Sequence, residues 1–200
     1  MRLTPRLGVA VVTVAAGIVF AGTLVRATLY APESEVASST LAALAPARDA
    51  APGDLPRHLR IPALGVNAYV RHVGLNAQGN MATPGNFTDV GWYKYGGVPG
   101  LRGSAVMDGH VDNALALDGV FKHLGNLKAG DEIYVDTASS TKLRFVVTEA
   151  VSYAVNDVPL ERIFNAKDAA HLNLITCTGE WNRDTNEYSE RLVVYATLAP

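Results

Sequence analysis

The chain has one cysteine, Cys177, at the end of the run His171-Leu172-Asn173-Leu174-Ile175-Thr176-Cys177. Leu172 to Thr176 is apolar and β-branched enough for a buried strand, and a thiol at the end of such a strand can sit at the mouth of a pocket. A thiol attacks an acyl carbon as its thiolate, so it needs a base or a positive neighbour. His110 ends a second apolar run, Ala105-Val106-Met107-Asp108-Gly109-His110, and can take a proton and return it to a leaving amine. Arg191 lies 14 residues after Cys177 and opens the run Leu192-Val193-Val194-Tyr195-Ala196. Its planar fork of N–H donors can stabilise an oxyanion or hold a peptide backbone. A thiol, an imidazole and a guanidinium, each at a strand end, make an acyl-transfer site. On spacing alone the triple is weakly specific, because five histidines and several arginines offer many such combinations.

The other candidates have blander readings. His58, His72 and His171 lie in or beside strand patterns and read as structural or surface residues, and His123 belongs to a short helical turn. No set of them has a metal-ligand spacing. Asp112 either tunes His110 or serves as a turn residue. Trp181 either walls a groove or packs on the surface. Arg183 sits in the polar stretch Asn182 to Asn186 and reads as solvated. A lone cysteine is itself often a small buried hydrophobe.

Something must hold these side chains together. At 48% hydrophobic and 18% charged, the chain of 200 residues supports a folded core. A net charge of −2 gives no basic surface for nucleic acid. One cysteine excludes an intrachain disulfide framework and a cysteine-rich zinc site.

Leu7 to Val25 is 19 residues without a charge. As a helix it would reach about 28 Å, close to a hydrocarbon layer of about 30 Å. Arg2 and Arg6 precede it, which puts the N-terminus in the cytoplasm and the rest outside. The run is longer than a cleaved signal peptide's core, so residues 1–30 read as a cytoplasmic N-terminus and an uncleaved signal-anchor helix. Residues 31–55, rich in Ala, Pro and Ser, read as an extracellular linker. Residues 56–200 read as the folded domain.

In that domain short apolar runs alternate with Gly, Asn and Asp turns, which predicts mostly β structure. Strands are expected at 58–61, 68–73, 104–110, 133–135, 143–150 and in the runs carrying Cys177 and Arg191. Val90 to Tyr95 reads as strand or turn. One helical turn is expected at 119–124 and a short helix at Pro159 to Phe164, with Asp157 as its cap. Seven or eight strands in about 145 residues fit a closed barrel, which hides sheet edges.

The local wording sharpens the triple. Leu174-x-Thr176-Cys177, Arg191 opening a strand and the upstream Gly109-His110 resemble the sortase family of cysteine transpeptidases over roughly Pro56 to Leu198. Leu59-Arg60-Ile61-Pro62, Phe121-Lys122-His123-Leu124 and Gly130-Asp131-Glu132-Ile133 support the likeness. Gly109-His110-Val111-Asp112 and Val193-Val194-Tyr195-Ala196 look most like class F, or the neighbouring classes D and E, of Gram-positive bacteria. Asn173 departs from the family pattern, which usually has Thr there.

The resemblance implies an eight-stranded β-barrel with one or two short helices, preceded by the membrane helix. It implies cleavage of a Leu-Pro-x-Thr-Gly sorting signal between Thr and Gly, with a thioacyl intermediate on Cys177 and transfer to an amine. The partners would be surface proteins or pilins and an acceptor such as a peptidoglycan precursor. His110 would be the general acid or base and Arg191 the oxyanion or positioning group. Val155, Val158, Pro159 and Leu160, with Thr176, would contact the peptide. No cofactor is expected, and no acidic cluster suggests calcium. Two rival readings stand beside this one. One is a non-catalytic extracellular β-barrel that binds a wall component, with Cys177 structural. The other, an L,D-transpeptidase, lacks the Ser-His-Gly-Cys phrase that such enzymes carry.

Overall fold

The computed structural model describes residues 51–200. The charge-free run at 7–25 and the linker up to residue 50 lie outside the described residues. Among the described residues no helix is long and apolar enough to cross a membrane.

Eight strands form one closed barrel. They are β1 (Pro56–Ile61), β2 (Val66–Val73), β3 (Val90–Tyr93), β4 (Gly103–Asp108), β5 (Glu132–Thr137), β6 (Lys142–Ala154), β7 (Ala170–Asn182) and β8 (Glu187–Leu198). Their order around the barrel is β1-β2-β3-β4-β7-β8-β6-β5, and β1 pairs with β5 to close it. Two neighbouring pairs are parallel, β2 with β3 and β4 with β7. A parallel pair cannot be joined by a tight turn. The chain therefore makes long excursions after β2 and β4, and those excursions carry material to the site. The mostly β closed barrel read from the sequence is thus the fold observed.

Alternation divides the side chains between two cores. Leu172 and Leu174 of β7, with Val194 and Ala196 of β8, join Met107 and Phe145 inside the barrel. Ile175, Val193 and Tyr195 point to the other face, where they pack with Val106, Ile163 and Phe164. Helix α1 (Leu160–Asn165) supplies the last two of these. Six residues are too few for a stable helix in water. Burial of Ile163 and Phe164, each worth roughly 1.5–3 kcal/mol, fixes it to the sheet. Asn173 Nδ2 donates to the Ile163 carbonyl at 2.6 Å within the buried layer.

Several local expectations change. Asp157 does not cap the helix. It belongs to a 3-10 turn, Val155–Asp157, and the N-cap position is Pro159, without a side-chain cap. Pro159 disfavours helical backbone at Val158, so the helix starts beyond the reach of Asp157. The helical turn expected at 119–124 is an irregular turn followed by a 3-10 turn, Leu124–Asn126, although Phe121 and Leu124 are buried as the pattern required. Strands β7 and β8 extend past the apolar runs as an exposed polar hairpin. Cys177 and Arg191 therefore lie within long strands rather than at their ends.

Candidate active site

Strands β7 and β8 pair antiparallel with Cys177 directly opposite Arg191. Partners across a rung share a face, so thiol and guanidinium project together. Both are buried, Cys177 at 6% exposure and Arg191 at 1%. His110 reaches them along the other neighbour of β7. The parallel β4–β7 register ends at Asp108 opposite Ile175. Backbone N–H of Gly109 then donates to the Ile175 carbonyl at 3.2 Å, and Thr176 Oγ1 donates to the Gly109 carbonyl at 2.7 Å. These two bonds carry the ladder past the end of β4 and bring His110 level with Cys177. All three side chains line one narrow cleft, together with Thr83, Asp108 and Thr176.

His110 is held from several sides. Its Nε2 lies 2.8 Å from the Pro84 carbonyl. A carbonyl only accepts, so Nε2 carries the proton in that contact, and in the neutral ring Nδ1 is left as the basic nitrogen. The His110 carbonyl accepts from the Phe121 N–H at 3.0 Å. A Cβ at Gly109 would fall 2.6 Å from Phe121 and Val120. Only glycine lets this segment close over the imidazole. Burial lowers the His110 pKa below its ordinary value, against the opposing pull of the Pro84 carbonyl and the Asp112 charge. The ring is therefore a neutral base near neutral pH.

Arg191 is fixed just as firmly. Nη1 donates to the carbonyls of Tyr188 and Glu190 at 3.0 Å each, and Nη2 donates to Glu187 Oε1. These contacts orient the plane of the fork before any peptide arrives.

Asp112 does double duty beside His110. Its Oδ2 accepts from the Tyr188 hydroxyl at 2.5 Å and lies 3.7 Å from Lys122 Nζ. Burial and the Asp112 carboxylate raise the Tyr188 phenol far above its ordinary range. That contact ties the segment after His110 to the start of β8. Beyond it opens a cavity of about 660 Å³, lined by His110, Asp112, Asn113, Trp181, Arg183 and Tyr188 among others. Trp181 is 43% exposed and packs edge-on against Tyr188 at 5.1 Å. Two cavities, the thiol cleft and this wider one, thus meet at His110.

Of the residues expected to contact a peptide, Thr176 lines the thiol cleft, with its hydroxyl committed to Gly109. Val155, Val158, Pro159 and Leu160 are not among the residues lining it. Val158 and Leu160 pack against the outer core beside α1. The remaining histidines stay apart from the cleft. His58 packs tilted against Tyr69, His72 Nε2 meets the Pro56 carbonyl at 3.1 Å, His171 pairs with Asp168, and exposed His123 lies 3.8 Å from Asp118. Sequence reasoning missed Pro84, Glu187, Tyr188 and Asp108. Only Asp108 carried a readable signal, as the one acid inside an apolar strand run.

Comparison with known proteins gives the family and the fold. The sortase domain family model matches residues 59–199. Among solved structures, Streptococcus agalactiae sortase C1 in complex with MTSET is 21% identical with a TM-score of 0.55, covering 72% of this chain and 66% of that one. A Clostridium perfringens sortase D5 transpeptidase is 20% identical with a TM-score of 0.55, covering 76% and 83%. The pilus-related sortase C of Group B Streptococcus is 16% identical with a TM-score of 0.55, covering 74% and 68%. At these identities the likeness is one of fold, and this chain spans just under two thirds of the first structure's length. A search of curated proteins finds no match.

Proposed function

The chain belongs to the sortase family, whose members are cysteine transpeptidases, and we propose that it is a membrane-anchored one. It cleaves a Leu-Pro-x-Thr-Gly-type sorting signal between Thr and Gly and transfers the acyl part to an amine of the cell wall or a pilin. The observation that carries this reading is the pairing of Cys177 with Arg191 on adjacent strands, with neutral His110 in the same cleft.

The chemistry follows from those positions. His110 Nδ1 takes the thiol proton, and the Cys177 thiolate attacks the Thr carbonyl. The fixed Arg191 fork faces the negative charge that develops on the carbonyl oxygen. The C–N bond to Gly breaks, and the imidazolium returns its proton to the departing amine. The acceptor amine then attacks the thioacyl carbon and gives its proton to His110, the C–S bond breaks, and the imidazolium returns that proton to the Cys177 thiolate to restore the thiol. Val155, Val158, Pro159 and Leu160 serve the Leu-Pro end of the peptide in this reading, and Thr176 supports the cleft.

Within the family we place the chain with class F, on Gly109-His110-Val111-Asp112 and Val193-Val194-Tyr195-Ala196. Residues 1–30 anchor it, 31–55 extend it from the membrane, and 56–200 form the catalytic domain outside the cell. The binding-module alternative is not favoured, because a structural cysteine needs neither a buried imidazole nor a guanidinium beside it.

The test is to incubate the full chain with a Leu-Pro-x-Thr-Gly peptide library and an amine and to follow products by mass spectrometry. Cleavage at Thr-Gly, amine capture and a thioacyl adduct on Cys177 are expected. No cleavage together with an unreactive thiol would overturn the reading.

A further inference from the structure

Asp108 is the residue of the thiol cleft that the reaction scheme leaves unused. It ends β4 with its side chain on the same face as Ile175, one step along the ladder from Cys177. It is 4% exposed, and neither carboxyl oxygen is hydrogen-bonded to another residue. Thr83 Oγ1, in the wall of the same cleft, is buried and without a partner too. Buried polar groups are nearly always satisfied, so two such side chains in one cleft require an explanation.

The fold makes room for this carboxyl. Gly91 of β3 lies directly across from Asp108. A Cβ on Gly91 would fall 2.3 Å from Asp108 Oδ1 and 3.1 Å from Pro84 Cδ. Any other residue at 91 would expel the carboxyl or displace the Pro84 segment that holds His110. The cations on neighbouring elements are already engaged. Arg71, the β2 partner of Gly91, is bound to Asp89 at 2.6 Å. Arg191 on β8 is bound to Glu187. The other titratable groups facing Asp108 are Cys177 on β7 and His110 just after β4, while Thr83 and Pro84 above it carry no charge. A carboxylate in this position has no cation committed to it, so the neutral acid is favoured. Burial accordingly raises its pKa well above the ordinary carboxylate value.

We propose that Asp108 is a positioning residue of the thiol cleft that works as a neutral acid, leaving Cys177 as the one group there that becomes an anion. An ionised Asp108 places a second negative charge beside the forming thiolate and opposes it. The two groups therefore titrate against each other, and neither shows a single independent pKa. The inference rests on Cys177 being the nucleophile, but its test needs no peptide substrate.

The experiment measures alkylation of Cys177 by iodoacetamide in the full chain from about pH 6 to about pH 10. Wild type is compared with Asp108→Asn, a permanently neutral isostere, and with Asp108→Ser. Equal rates at the acid end and a wild-type lag of about threefold or more at the alkaline end are expected, with a single-step rise in both variants. Superimposable profiles, or an offset that is the same at every pH, would overturn the proposal. If Asp108→Asn does not fold, Asp108→Ser and the wild-type His110 NMR titration decide. In wild type the His110 signals must show a second inflection as Asp108 ionises, and its absence overturns the proposal. Failure of the peptide assay with a divergent alkylation profile would remove the sorting-signal reading and leave this one standing.

Discussion

Cys177 and Arg191 occupy one rung of the β7–β8 ladder, so the spacing between thiol and guanidinium is set by backbone pairing rather than by a loop. Strand pairing is a rigid way to hold two groups, and it makes the identity of each group decisive. Arg191→Lys keeps the charge but loses the fork and its three contacts to Tyr188, Glu190 and Glu187. The expected result is a fall in kcat of about 10²–10³ with a much smaller change in KM. Steady-state kinetics on a cleaved peptide checks this, and a Lys variant with wild-type kcat would count against Arg191 as the oxyanion donor.

Glu187 should matter through Arg191 alone. Its carboxylate accepts from that guanidinium, and it sits four residues earlier at the start of β8. Glu187→Gln keeps an acceptor oxygen and is expected to retain most activity. Glu187→Ala is expected to lower kcat roughly tenfold, because a charge-assisted bond that orients the fork is lost. In the Arg191→Lys background the Ala change should cost little more. Full additivity in that double-mutant cycle would show that Glu187 acts elsewhere.

How much of this was legible in the sequence differs from residue to residue. Cys177, Arg191 and His110 stood out because each closes or opens an apolar run, and apolar runs mark strands, but it took the resemblance of the wording around them to the sortase family to single the triple out. The closed barrel was legible for the same reason. Glu187, Tyr188 and Pro84 were not, because their roles depend on which loop crosses which strand. That crossing follows from the parallel β2–β3 and β4–β7 pairs, which no local pattern announces. The cap expected at Asp157 failed because Pro159 moved the start of the helix.

Asn173 is the departure from the family pattern, and the structure gives it a task. Its Nδ2 donates to the Ile163 carbonyl, a buried bond that joins β7 to α1. Asn173→Ala removes this bond and leaves a buried carbonyl unsatisfied, at a cost of about 1–3 kcal/mol. Thermal unfolding should show the loss, and hydrogen exchange should show faster opening of residues 160–165. Unchanged exchange there would mean that apolar burial alone holds α1.

His110 and Asp108 should shape stability against pH in opposite directions. The His110 pKa is lowered on folding, chiefly by burial, so the folded state binds fewer protons than the unfolded chain. Its contribution is present above about pH 6.5 and is lost as pH falls through the folded pKa. The Asp108 pKa is raised, again by burial, so the folded state binds more protons. That contribution is full below about pH 4 and is lost as pH rises through the folded pKa. Asp108→Asn should therefore match wild-type Tm in acid and exceed it at neutral and alkaline pH. His110→Gln should remove the loss below about pH 6.5. Melting curves across the pH range for wild type and both variants check the two signs independently. A wild-type advantage over Asp108→Asn that grew with pH would mean that the carboxylate, rather than the neutral acid, is the form the cleft favours.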